Sequence, residues 1–388
     1  MFVRIEKHRF KGIEKHMPKD STKLIQEFIF ELGTSLGFTS HMEYSFFSKN
    51  DTYTPIYDVV WLMDVTQNFD TSPIKQYVNS ESWHPLLDQV VVAAFEIEGS
   101  TTTSKNQVGN VANLYLSPSY FKFVIVNNAG ACNENDTYRR GVKIARTFEK
   151  VWGVNNLFFL DWEHIKDFNI SYNNTSNNIS SNTDSSYTPD KISRSKVGGE
   201  SRSVAISEII LENLAKSRFQ VKENYSPESI KHLYTSVERY QRIPCPEEYD
   251  YLLGRKFVCD PTTKESKPVK KSQDYFYTPK IDIALGFNLP SRLNLFFKWI
   301  SETIGEEHVN NSFLTHFKYN QDEQLFFPYL GCEVESSVNK HLNGGVMNCS
   351  RFFYTGLLVA PKGAERHLNT LKERLGIFNI FFYPHNFT

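Results

Sequence analysis

Apolar residues along this chain switch between a helical and a strand period in a fixed order. Ile25, Phe28, Ile29, Leu32 and Leu36 follow the i, i+3, i+4, i+7, i+11 spacing of a helix that buries one face, with Ser21 as its cap and Gly37 at its end. Residues 41–47 and 56–63 then read as strands, the second opening with Tyr53-Thr54-Pro55 and carrying Asp58 beside an apolar run. A near-continuous apolar strand begins at Val90 and ends in the alternating pair Glu96-Ile97-Glu98. Because strand side chains alternate faces, both glutamates point to one side. A polar turn follows, and a helix that sets Val108, Val111, Ala112 and Tyr115 on one face and stops at Pro118. Residues 121–127 form a buried-type strand, 138–152 a helix and 156–162 a last strand. The order α-β-β-β-α-β-α-β predicts an α/β (α+β) unit, a mixed sheet flanked by helices.

The same order of events returns near the C-terminus. Tyr277-Thr278-Pro279 precedes Asp282 as Tyr53-Thr54-Pro55 precedes Asp58, Glu333-Val334-Glu335 matches Glu96-Ile97-Glu98, and residues 375–382 align without a gap on 152–159. Lys105 and Lys340 fall at the same place, just before the following helix. The second copy carries an extra helical insertion at about 291–304. Between the copies, residues 169–186 are almost wholly Asn, Ser and Thr, too poor in apolar groups to offset ordering entropy. Two helices are expected over 202–242. Ile206, Ile209, Ile210 and Leu214 stripe the first, and the second is capped by Ser226-Pro227; a packing pair is favoured over a helix-turn-helix reader. Lys264, Lys267, Lys270 and Lys271 form a basic run, a solvated loop by default and a phosphate contact in the functional reading. The expected organisation is a first repeat over 1–168, a linker over 169–200, a helical middle region over 201–274 that could contact DNA, and a second repeat over 275–388.

Composition narrows the functional classes. The chain has 388 residues, 40% of them hydrophobic and 22% charged, enough for two ordinary domains. A formal net charge of −1 does not advertise a polyanionic partner, although clustered carboxylates can mask a local basic surface. Five cysteines without a C-x-x-C pair indicate neither a disulfide framework nor a zinc knuckle, and a reducing cytoplasm fits them best. No segment approaches the roughly 18 apolar residues of a membrane span, and the first residues lack an apolar signal core.

The duplicated acids carry the chemistry. An Asp at one strand end beside a Glu at the next makes a hard oxygen pair suited to Mg²⁺, which keeps its waters for a phosphate substrate. Asp58 with Glu96, and Asp282 with Glu333, are the expected metal ligands, and Mn²⁺ is expected to substitute. The third carboxylate, Glu98 or Glu335, could orient or deprotonate an attacking water, and Lys105 or Lys340 could neutralise charge on the phosphate.

These motifs resemble the PD-(D/E)XK nuclease superfamily, especially type II restriction endonucleases, whose pattern is an Asp on one strand and (D/E)-x-K on the next within an α-β-β-β-α-β core. Glu98 and Glu335 stand where that pattern has lysine, and Lys105 and Lys340 are candidates for a lysine displaced onto the helix. The resemblance implies two tandem restriction-endonuclease-like domains in one chain and a Mg²⁺-dependent endonuclease that acts on double-stranded DNA, one strand per repeat. An asymmetric or degenerate site would suit two diverged halves, and a monomer would suffice. The alternatives are a transposon-end or repair nuclease of the same fold, and a non-catalytic duplicated DNA-binding protein whose carboxylates face solvent.

Overall fold

The computed structural model describes residues 18–46, 54–127, 137–152, 156–166, 199–225, 281–288, 296, 326–337 and 341–385. They build two five-stranded mixed sheets with helices packed on them. The first unit runs α1 (Pro18–Ser35), β1 (Thr39–Tyr44), β2 (Tyr57–Asp64), β3 (Gln89–Gly99), α2 (Ser104–Leu116), β4 (Phe121–Asn127), α3 (Thr137–Trp152) and β5 (Leu157–Asp161). The second repeats it as α4 (Gly199–Leu214), β6 (Gln220–Tyr225), β7 (Ile281–Asn288), β8 (Phe326–Val334), α5 (His341–Phe352), β9 (Thr355–Pro361), α6 (Glu365–Leu375) and β10 (Ile380–His385). In each sheet the strands lie in chain order, the first three antiparallel and the last two joined in parallel through helical crossovers.

The second unit is longer than the repeat read from sequence. The stretch expected as a separate helical middle region supplies a helix and the edge strand of the second sheet. Gln220 pairs with Gly286 and Tyr225 with Ile281, as Thr39 pairs with Leu62 and Tyr44 with Tyr57. Ile206, Ile210 and Leu214 of α4 are buried as expected, and Leu211 joins them, while Ile209 is 52% exposed. This helix packs on its own sheet, the role Ile25, Phe28, Ile29 and Leu32 give to α1. Helix α1 starts at Pro18 instead of at a Ser21 cap, and it ends as expected at Gly37, whose φ of +91° is the left-handed turn that favours glycine. The expected linker up to residue 198, the second middle helix, the lysine run and the second Tyr-Thr-Pro lie outside the described residues.

A shared irregularity ties the copies together. The β2–β3 register shifts between Trp61 and Leu62, and the β7–β8 register shifts at the corresponding Leu285 and Gly286. Such a bulge leaves one residue outside the ladder. It accounts for Pro328 inside β8, since a residue with no N–H is tolerated where the ladder is interrupted. The asparagine of the repeated terminal anchor has a comparable structural role. Asn156 donates through its side chain to the Tyr120 carbonyl, and Asn379 donates to the Tyr354 carbonyl, fixing the entry to β4 and β9.

The two sheets share one apolar core. Phe69 stacks on Phe219 and Phe287, Tyr120 meets Phe327, and Trp83 packs against Phe378 and Phe381. The Tyr329 hydroxyl donates to the Leu87 carbonyl at 2.6 Å and the Trp83 indole to Thr355 Oγ1 at 3.2 Å. Phe296, from the insertion expected near 291–304, is 1% exposed and packs on Trp61 and Phe123 of the first unit. Each fully buried aromatic of this kind contributes roughly 1.5–3 kcal/mol of transfer free energy, so the units hold each other as parts of one folded body. Among the described residues no helix is long and apolar enough to cross a membrane.

Candidate functional site

Asp58 is the residue just beyond the β2–β3 ladder, which ends with Val59 opposite Phe95, so Asp58 lies across from Glu96. Its Oδ2 accepts the backbone N–H of Ile97 at 2.6 Å, and its Oδ1 accepts from Gln26 Nε2 on α1 at 2.7 Å. The second unit repeats the arrangement. The ladder ends with Ile283 opposite Cys332, Asp282 lies across from Glu333, and Asp282 Oδ2 accepts the backbone N–H of Val334 at 2.8 Å.

Both glutamates are in central strands. Glu96 is 6% exposed and Glu333 9%, so these two carboxylates do not line a solvent-facing edge. Burial, and then the neighbouring Asp58 charge, push the Glu96 carboxyl up to about 9 against a hydrogen bond from Asn113 that favours ionisation. Glu333 is likewise pushed up to about 9 by burial and by the charges of Asp282 and Glu335. Asp58 and Asp282 are also raised, first by burial. Glu96 Oε1 is buried without a hydrogen-bond partner. Two carboxyls packed this closely stay ionised together only with a cation beside them.

Glu98, 2% exposed, lies on the same face as Glu96 but has its own partners. Gln107 Nε2 donates to Oε2 and Asn110 Nδ2 to Oε1, both at 3.0 Å, while Arg140 Nε holds the Gln107 carbonyl oxygen at 2.8 Å. Burial raises the Glu98 carboxyl, opposed by these two amides and by the Arg140 charge. In the second unit Glu335 is past the end of β8 and partly exposed; its backbone N–H bonds to the Val359 carbonyl. Lys105 is exposed on the first turn of α2, and Gln107 and Asn110 are the groups that reach Glu98. Lys340 lies outside the described residues.

The polar partners were not anticipated from sequence. Helix α2 was expected to bury Val108, Val111, Ala112 and Tyr115, but it buries Gln107, Val111 and Leu114, and Val108 is 44% exposed. The available signal was three amide residues, Gln107, Asn110 and Asn113, at three-residue spacing directly after a strand with two acids, which sets them along one helix face.

Among the described residues no group of three or more His, Cys, Asp or Glu side chains is gathered as a metal cage. Each unit instead offers one Asp–Glu pair. In the first unit the two hard oxygen donors, with Glu96 Oε1 unpartnered, fit a cation that retains most of its waters; in the second, Asp282 and Glu333 hydrogen-bond to each other through their side chains, and a cation would replace that shared proton. No family model matches the chain, and neither a curated protein nor a solved structure matches it.

Proposed function

We propose that this protein is a metal-dependent endodeoxyribonuclease of the restriction-endonuclease type, with one catalytic site per unit and one DNA strand cut by each. The observation that carries the reading is the duplicated pair. Asp58 with Glu96 and Asp282 with Glu333 stand at the same register, and each Asp is tied to the same backbone N–H of its E-x-E strand. Burial, with no cationic side chain of the described residues acting on Glu96 or Glu333, gives both pairs a reason to hold a divalent ion, Mg²⁺ or Mn²⁺. When bound, such an ion supplies Lewis-acid polarisation of a phosphoryl oxygen and a water more acidic than bulk water.

The chain's own residues do the rest. Asp58, held by Ile97 N–H and Gln26, keeps a fixed place across from Glu96 and with it would hold the ion. Glu98 accepts one amide on each oxygen and retains a lone pair on each, so it orients a water instead of swinging freely. Lys105, exposed at the start of α2, is available to a phosphate rather than to the buried acids. Because both units share one core, the two sites keep a fixed separation, and a single chain suffices for two cuts.

The test is incubation of the purified chain with mixed-sequence supercoiled plasmid and Mg²⁺, followed by sequencing of the ends. Linear product with defined ends, lost in excess EDTA, is expected. Intact plasmid at any concentration of Mg²⁺ or Mn²⁺ would overturn the reading and return the chain to the DNA-binding class.

A further inference from the structure

Helices α2 and α5 bury corresponding residues: Gln107, Val111 and Leu114 in the first unit, Leu342, Val346 and Cys349 in the second, with the same spacing. At that alignment Asn110 falls on Gly345, and Asn113 falls on Asn348. Most of the helix has drifted, including the amides that hold Glu98, yet this asparagine recurs. Asn113 hydrogen-bonds through its side chain to Glu96. Its backbone carbonyl accepts the Tyr57 hydroxyl at 3.1 Å, which pins this turn of α2 next to Asp58. In the second unit α5 makes the same approach. A Cβ on Gly345 would lie 3.2 Å from Glu333 Cγ, and Asn348, 9% exposed, is one turn further along that face.

We infer that Asn113 is the positioning residue of the first site, donating its amide to one oxygen of Glu96 and so aiming the other oxygen at the divalent cation, and that Asn348 takes the same place at the second site when a cation draws Glu333 away from Asp282, to which its side chain is hydrogen-bonded. The geometry at Glu96 fits this division: the Asn113 side chain bonds to the carboxylate, while Oε1 is buried and unpartnered. An asparagine suits the task because it donates without bringing a charge that would compete with the ion. It acts through the glutamate and touches neither metal nor DNA. The inference rests on the nuclease reading for the cation, but it makes its own claim about two residues outside the acidic motif.

The test is calorimetric titration of the full-length protein with Mn²⁺ alone, alongside strand-resolved nicking of plasmid. Wild type, Asn113→Leu, Asn348→Leu, Glu96→Gln and Glu333→Gln are compared, with thermal melts to verify folding. Loss of an outer hydrogen bond to a metal ligand typically weakens metal affinity about 10–100-fold. Asn113→Leu is expected to weaken one of two Mn²⁺ sites by that factor and to slow the cut on one strand, and Asn348→Leu to do the same at the other site and strand. Asn113→Ser, which removes the amide without adding apolar bulk, is read in the same way should the leucine variant melt early. Wild-type Mn²⁺ affinity at both sites in the asparagine variants, with one site lost in Glu96→Gln, would overturn the inference and leave the nuclease reading intact. Wild-type binding and cleavage in both Glu→Gln variants would overturn the two together.

Discussion

Tyr354 of the second unit accepts the backbone N–H of Val91 in the first at 3.2 Å, and its hydroxyl donates to the Leu86 carbonyl at 3.0 Å. Val91 stands next to the β3 bulge, and its carbonyl accepts the Tyr120 N–H at the entry to β4. The matching residue of the second unit is Pro328, which has no N–H to satisfy. One hydroxyl thus closes the backbone hydrogen bonding of one unit from within the other. Tyr354→Phe should leave a buried donor unsatisfied and lower stability by about 1–3 kcal/mol. Thermal melts should show the loss as a shift of a single transition for the whole protein. A second, separate transition in either chain would mean that the halves unfold independently.

Lys122 gives a pH signature. It is 7% exposed, donates to the Ser119 carbonyl, and burial alone pulls its ammonium down to about 7 from 10.5. Between those values the unfolded chain holds the proton that the folded chain has released, so stability rises with pH across that window. Below about 7 both states are protonated, and the cost of burying the charge is fully present. Lys122→Met should therefore raise the melting temperature most near pH 6–7, with the gain shrinking toward pH 10. A gain independent of pH would show that packing, not the charge, sets the difference.

What sequence could and could not disclose follows from the kind of signal each residue leaves. Asp58, Glu96, Asp282 and Glu333 stand in recurring local patterns, and the structure brings each pair together across one ladder. Helix α4 was recognisable as a helix, but not as the counterpart of α1, because a spacing such as Ile25 and Ile29 against Ile206 and Ile210 is common to any helix with one buried face. The partnership of β6 with β7 was hidden by the long stretch between Tyr225 and Ile281, where the first unit has only a short connection from Tyr44 to Tyr57. Gln107 was missed for the opposite reason. A polar residue on a helix is read as exposed unless its partner is known, and its partners, Glu98, Thr137 and Arg140, come from three other segments.

Metal stoichiometry follows from the duplication. Two Asp–Glu pairs predict two Mn²⁺ or Mg²⁺ ions per chain, each raising the melting temperature by binding the folded state only. Titration with either ion should saturate near two equivalents, and Asp58→Asn should reduce that to one. Saturation at one equivalent in the wild type would mean that a single pair is competent.

The division of labour between the units is decided by strand-resolved mapping. Glu96→Gln keeps the shape of a buried side chain but removes the charge that would hold the ion, and Glu333→Gln does the same in the second unit. A bound ion supplies several kcal/mol of transition-state stabilisation, and each ~1.4 kcal/mol is tenfold in rate, so one cut should slow by about a thousandfold or more. Each variant should then convert supercoiled plasmid to nicked circles, with the nicks on opposite strands. Binding to DNA should persist, because the substitution removes negative charge near the phosphates. Linear DNA from both single variants at the wild-type rate would sink the two-site mechanism. Normal linearisation by one variant and complete inactivity in the other would assign both cuts to a single unit.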